Sequence, residues 1–443
     1  MQSLYFEKTA NYIEISIVQR TDITIIKGDV SVNIPVAKDY IKKFEKLGFG
    51  MFVHWGLYSQ LGKGEWAYYI EKLDKNEYVK LKETFTAQDF NAEELVLVAK
   101  EAGCKYITLT TRHHEGFSLY DTCGLNEYDA LHSPAKRDLV REFVDACNKH
   151  DIVPFFYHTT LDWYNPDYYN DFDTYLEYLR KSIEILCKNY GKIGGLWFDG
   201  NWDKPDADWK LDELYGTIRK YQPEAMIISN TGLSKRGKIT HPEIDSVTFE
   251  QGKPTPMNRK GMEKYVSAEM CYTLNQHWGV GHSDFNYKSP KELIETLCDC
   301  RKFGANLLLN VGLEKHGKIT GMSKELLLLI GKWISVFGEA IYEGKPYPSG
   351  SVGKNFVLKG DKCLYIFAYD LGAKGNENVT VGGKYAGVYS FSGINEKIEK
   401  IEWMDNKENL NFSCIDGMLA VNLTGMPYGT DYCVRVAKAY IKN

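Results

Sequence analysis

The sequence predicts an α/β fold, an irregular (β/α)8-like barrel over residues 41–344 followed by a C-terminal β-sandwich over residues 345–443. Three observations predict it. Eight short apolar runs bounded by turn residues recur along the first three quarters of the chain. Stretches of helical period separate most of them. Beyond about residue 345 the helical stretches stop, and short strands punctuated by Gly, Asn and Asp take over. A length of 443 residues suits two domains. A doubly wound sheet is the alternative for the first domain.

Residues 1–40 are strand-rich (YIEISIVQR, DITIIKGDVSVNI) and read as a β cap or part of another sheet. GFGMFVHW (48–55) is the first barrel strand, apolar between glycines. The helix AEELVLVAKEAG (92–103) follows, with Gly103 suited to its C-terminus. KYITLTTRHH (105–114) is β-branched and strand-like. The alternation continues with helix 137–150, strand IVPFFYH (152–158), helix 172–191, strand GGLWFDG (194–200), helix 208–221 and strand AMIISN (225–230). DSVTFEQ (245–251) and SAEMCYT (267–273) are strands with little helix around them, so the barrel is expected to be irregular there. Helix 290–304, strand NLLLNVG (306–312) and helix 324–338 close the series. YPSGSVG (347–353) is the junction, and KNFVLKG, CLYIFAYDL, NVTVGG, GVYSFSG and LAVNLTG are sandwich strands.

Composition narrows the function classes. A net charge of −5 leaves no electrostatic footprint for nucleic acid or an anionic membrane. No apolar run approaches the ~20 residues of a membrane span. The chain starts without the pattern of a secretory signal, and its ten cysteines are scattered with no C-x-x-C, which together suggest a cytoplasmic protein with free thiols. The 14% aromatic content, with 31 Tyr and 9 Trp, suits either stacking on sugars or a β-rich core.

Barrel enzymes carry their active sites at the C-terminal ends of the strands. There this chain places His54, Trp55, His113, His114, Tyr157, His158, Trp197, Asp199, Glu250 and Glu269, with Glu65 and Trp66 overhanging from GKGEWAYY. His and Tyr exchange hydrogen bonds with hydroxyls. Trp supplies an apolar wall, and paired carboxylates about 5–5.5 Å apart break glycosidic bonds with retention. A neutral, hydroxyl-rich ligand fits this set. Several members also have bland alternatives. Adjacent strand residues face opposite ways, so one of His113 and His114 is expected to be structural. His54, Trp66 and Trp197 suit a core, Asp199 a loop cap, and Glu250 a surface acid.

The motifs GFGMFVHWGLYS, GEWAYY, TTRHHEGFSLYDT, FFYHTTLDW, GGLWFDG and NLLLNVG, in that order over roughly residues 45–315, resemble the glycoside hydrolase family 29 α-L-fucosidases. The resemblance extends to that family's C-terminal β-sandwich. It implies an exo-acting retaining double displacement on fucosylated oligosaccharides or glycoconjugates, with no metal or other cofactor. It makes Asp199 of WFDG the nucleophile. His54, Glu65, Trp66, His113, His114, Tyr157 and Trp197 match positions that bind the fucose hydroxyls or line its methyl pocket. For the acid/base the expectation is Glu250 in TFEQGKP, with Glu243 and Glu269 in reserve. The family often carries an Arg nearby, and Arg236 is the available one. Where the family has Trp-Glu before Cys, this chain has Ala268-Glu269, with Trp278-Gly279 following.

Three rival readings remain at this level. A metal-dependent hydrolase would use His54, His113, His114, His158 and Asp199 as ligands. A fucose-binding barrel would have lost catalysis. A retaining glycosidase would act on a related sugar such as galactose.

Overall fold

A computed structural model describes residues 34–351, 353–375 and 386–442. The strand-rich stretches within residues 1–33 and the NVTVGG strand lie outside the described residues.

Eight parallel strands close a barrel in simple sequential order. They are β1 (Phe49–His54), β2 (Tyr106–Arg112), β3 (Val153–Thr159), β4 (Gly195–Asp199), β5 (Met226–Ser229), β6 (Ser246–Glu250), β7 (Ser267–Thr273) and β8 (Ala305–Gly312). All eight fall on the runs read from the sequence. They are buried nearly throughout because helices cover their outer faces and side chains fill the inside.

Ten helices flank the strands among the described residues: α1 (Asp39–Leu47), α2 (Ala67–Ile70), α3 (Lys75–Val79), α4 (Ala92–Glu101), α5 (Leu139–Lys149), α6 (Asp167–Asn170), α7 (Phe172–Asn189), α8 (Leu211–Tyr221), α9 (Pro290–Lys302) and α10 (Gly321–Glu343). Most of the longer ones, though not α8, begin with side-chain caps. Asn91, Asp138, Asp171, Ser289 and Thr320 each accept a hydrogen bond from a backbone N–H three residues on. No helix connects β5 to β6 or β6 to β7, which is the irregularity expected there.

Inside the barrel, Phe52, Tyr106, Phe155, Tyr157, Trp197, Met226, Ile228, Cys271 and Leu308 pack with Ile41 and Phe44 of α1. Gly50 makes room for the Tyr106 ring; a Cβ there would lie 2.4 Å from it. The helix α1 plugs the N-terminal mouth, burying Ile41 and Phe44 at about 1.5–3 kcal/mol each. It had no counterpart in the sequence reading, and the boundary drawn at residue 40 falls inside it.

The seam between β5 and β6 is the weakest in the barrel ladder, with the single registered pair Ile228–Ser246. Side chains support it at both ends. At the N-terminal end, Asp245 is fully buried and accepts from the Ile227 N–H (2.9 Å), Arg219 (2.6 Å), Lys264 (2.7 Å) and the Tyr40 hydroxyl (2.9 Å). At the C-terminal end Asn230 crosses the seam, accepting from the Thr248 hydroxyl at 3.0 Å.

The C-terminal region forms two antiparallel sheets. One orders β10 (Gly350–Ser351), β13 (Gly387–Ser392), β16 (Met418–Leu423) and β15 (Phe412–Ile415); the other orders β14 (Ile398–Trp403), β17 (Val434–Ile441), β12 (Cys363–Tyr369), β11 (Phe356–Lys359) and β9 (Lys345–Pro346). Alternation along β12 sends Leu364, Ile366 and Ala368 to the space between the sheets. It sends Cys363, Tyr365, Phe367 and Tyr369 to the barrel side. The Trp333 indole of α10 donates to the Val434 carbonyl at 2.8 Å, tying the two units together.

Candidate active site

The C-terminal mouth of the barrel opens into a cavity of about 840 Å³. Its wall contains His54, Glu65, Trp66, His113, Tyr157, Trp197, Asp199 and Glu250, eight of the nine residues expected from the sequence. The ninth, His114, lies just behind the wall with its Nε2 3.5 Å from the Asp199 Oδ2. Both histidines of the pair stand beyond the end of β2, where strand alternation no longer separates them, and both reach the site.

Asp199 ends β4 and is held at both oxygens. Its Oδ1 accepts from the Trp202 indole (2.8 Å) and the Asn230 amide (3.2 Å), and its Oδ2 accepts from the Tyr157 hydroxyl (3.2 Å). Burial raises the carboxyl pKa, but His114, Trp202 and Asn230 together outweigh burial and hold it below the usual carboxylate range. The chain turns sharply at Gly200, where φ is 111° and a Cβ would lie 2.6 Å from the Leu161 backbone nitrogen. Thr160 fixes the Asp199 carbonyl through its N–H (2.7 Å) and its hydroxyl (2.9 Å).

Glu250 ends β6 and faces the same cavity. Burial, followed by repulsion from Asp199, pushes its carboxyl up to about 7. Its Oε2 accepts from the Asn230 amide at 2.8 Å, and Arg236 donates to its backbone carbonyl. The reserve acids lie elsewhere. Glu243 pairs with Arg219 at 2.9 Å and is absent from the cavity wall. Glu269 is fully buried inside the barrel, where it accepts from Tyr106 (2.5 Å) and from the Trp197 indole (3.0 Å). Trp197 lines the cavity and Glu269 does not.

His54 illustrates how the barrel sets a tautomer. Asn310 donates through Nδ2 to the Trp278 carbonyl (2.7 Å), so its Oδ1 faces His54 Nδ1 at 2.6 Å and must accept from it. Burial drives the imidazole pKa down to about 3, so the ring is neutral and Nε2 is an acceptor. Burial likewise lowers the pKa of His113, aided by His114 and His54. His113 stacks on Tyr157 with centroids 5.4 Å apart, and its Nδ1 is buried without a partner. The Glu65 Oε2 is taken by the N–H groups of Trp278 (3.1 Å) and Gly279 (2.8 Å). Trp66 stacks near Trp202 at 6.0 Å.

Besides Glu269, two residues of the strand-end set lie outside the site. Trp55 packs on Phe85 and Phe90, and His158 bonds Thr159 and is fully buried away from the cavity. Among the described residues no group of three or more His, Cys, Asp or Glu side chains could hold a metal ion. The sequence reading missed Asn230, Phe52 and Trp278. Asn230 was findable, since it directly follows β5. Trp278 sits on the loop after β7, where no strand-end rule reaches; it packs on His54 at 5.2 Å and on Phe52 at 5.8 Å. Among the described residues no helix is long and apolar enough to cross a membrane.

A family model described as Alpha-L-fucosidase matches residues 32–339. The tissue α-L-fucosidase of Bos taurus is 30% identical over 355 residues, 73% of each chain. A putative α-L-fucosidase of Caenorhabditis elegans is 28% identical over 414 residues, covering 86% of this chain and 81% of the relative. Among solved structures, α-L-fucosidase isoenzyme 1 from Paenibacillus thiaminolyticus superposes with a TM-score of 0.80 at 29% identity, over 91% of this chain and 99% of that one.

Proposed function

Because the chain belongs to the α-L-fucosidase family of glycoside hydrolases, we propose that Asp199 and Glu250 carry out its retaining double displacement on terminal α-L-fucose of oligosaccharides or glycoconjugates. The observation that carries this reading is one cavity wall holding two carboxyls of opposite disposition. Asp199 is held ionised by its donors, and Glu250 is held near neutrality. That is the pairing a nucleophile and a general acid require.

In the first half-reaction an Asp199 oxygen bonds to the anomeric carbon as the bond to the leaving oxygen breaks. The leaving oxygen takes the electron pair and the Glu250 proton. In the second, Glu250 takes a proton from water, the water oxygen bonds to the anomeric carbon, and the pair of the ester bond returns to Asp199. His54 Nε2 accepts a hydrogen bond from a sugar hydroxyl, and the Glu65 Oε1, His113 and Trp66 contact the others. Phe52, Trp197 and Trp278 offer an apolar wall to the deoxy-sugar methyl. His114 and Tyr157 act through Asp199. The ten free cysteines support a reducing compartment such as the cytoplasm.

Hydrolysis of an aryl α-L-fucoside by wild type, Asp199→Ala and Glu250→Ala, each variant with azide, tests the assignment. The expected products are β-fucosyl azide from Asp199→Ala and α-fucosyl azide from Glu250→Ala, read by NMR. Full activity in Glu250→Ala overturns its role. Absence of cleavage by wild type, with fucose still bound, favours a binding barrel.

A further inference from the structure

We propose that Asn230 is the positioning residue that spaces the two carboxylates and stabilises whichever of them carries the charge, an inference that rests on the roles of Asp199 and Glu250 given above. The geometry is specific. One amide nitrogen, Asn230 Nδ2, lies 3.2 Å from Asp199 Oδ1 and 2.8 Å from Glu250 Oε2. The amide cannot be turned over, because its Oδ1 accepts from the Thr248 hydroxyl (3.0 Å) and the Gly232 N–H (3.3 Å). Its backbone is fixed too, the N–H donating to the Phe198 carbonyl at 2.8 Å, and the residue is buried.

An amide nitrogen has two hydrogens that diverge by about 120° in a plane. Linear bonds from both hydrogens at those distances would set the acceptors about 5 Å apart, the separation a retaining pair uses. An aspartate, with no donor, could not bridge in this way; an alanine would leave the spacing to the β5–β6 seam.

Charge balance supplies the second half of the argument. Forming the ester removes the charge from Asp199, and proton donation places it on Glu250. The second half-reaction reverses this. A donor already bonded to both oxygens serves each charged state without moving, which is preorganisation in the electrostatic sense.

An N–H donor stabilises the ionised form of each carboxyl, so its loss raises both pKa values. In Asn230→Ala both limbs of the kcat/KM–pH profile should move to higher pH, by about one unit, and kcat/KM at the optimum should fall about 10–100-fold. Asn230→Asp fills the same space and adds a like charge, so both limbs should move further the same way; it also covers the case in which the alanine variant fails to fold. A residue that merely fills space would lower activity and leave the limbs in place. Either variant with a wild-type melting temperature and unmoved limbs overturns the proposal. If azide rescue of Asp199→Ala and Glu250→Ala has succeeded, that failure is confined to Asn230. If rescue fails, the assignment of the two carboxylates falls first.

Discussion

Replacing Glu250 by Gln removes a cavity-lining carboxyl held near neutral pH, and its effect on the pH profile can be worked out beforehand. Burial and the Asp199 charge put the Glu250 carboxyl at about 7. If Glu250 is the acid, as proposed, it must be protonated to act, so kcat/KM should fall tenfold per pH unit above about 7, with about 1% of the acid form remaining at pH 9. Asp199 must be ionised, and its donors hold it below the usual carboxylate range, so the acid limb should lie well below the alkaline one. The assay is kcat/KM from pH 4 to 9 on an aryl fucoside whose phenol is a poor leaving group. Glu250→Gln should lose the alkaline limb altogether. Two other buried carboxyls, Glu115 and Glu269, are also pushed up to about 7 by burial and make strong controls. Neither lines the cavity. The reasoning fails if Glu250→Gln keeps a limb near 7 while Glu269→Gln or Glu115→Gln loses it.

Asn310→Ala should free the His54 tautomer and raise KM roughly tenfold, about 1.5 kcal/mol for one hydrogen bond, with a smaller effect on kcat; an unchanged KM would remove Asn310 from the site. In the sandwich, the fully buried Arg435 is paired with Asp405 at 3.0 and 2.9 Å and lies 4.1 Å over Trp403. Asp405→Ala strands that charge and should cost about 3–5 kcal/mol in urea unfolding. A loss under about 1 kcal/mol would show that water reaches the guanidinium.

The eight barrel strands were legible because they are buried on both faces and read as short apolar or β-branched runs bounded by turn residues. The helices were legible from their period and, at Gly103, from a residue suited to a helix C-terminus. The helix α1 was not, because it is only nine residues long and its stripe of Tyr40, Ile41, Phe44 and Leu47 directly abuts the apolar run of β1. β14, β15 and β17 were also passed over. IEKIEW and FSCI are partly exposed strands whose charges and short lengths hide the alternation. In the cavity, sequence found the residues that titrate and several that stack, since those types announce chemistry, though it missed Phe52 and Trp278. Asn230 announces nothing. A carboxamide acts by where its hydrogens point, and only the Thr248 and Gly232 contacts reveal that.

The β5–β6 seam, tied by one registered backbone pair and by the side chains of Asp245 and Asn230, should give the enzyme a separate thermal weakness. Backbone pairing there is minimal, and the two carboxylates proposed to react, Asp199 and Glu250, sit on opposite sides of it, on β4 and β6. Local opening of so thin a seam requires far less than melting the barrel. Warming should therefore silence turnover while ellipticity stays native, and cooling should restore it without refolding. For anyone adapting this enzyme to hot or long reactions, the place to reinforce is this join between neighbouring strands, well before the hydrophobic core.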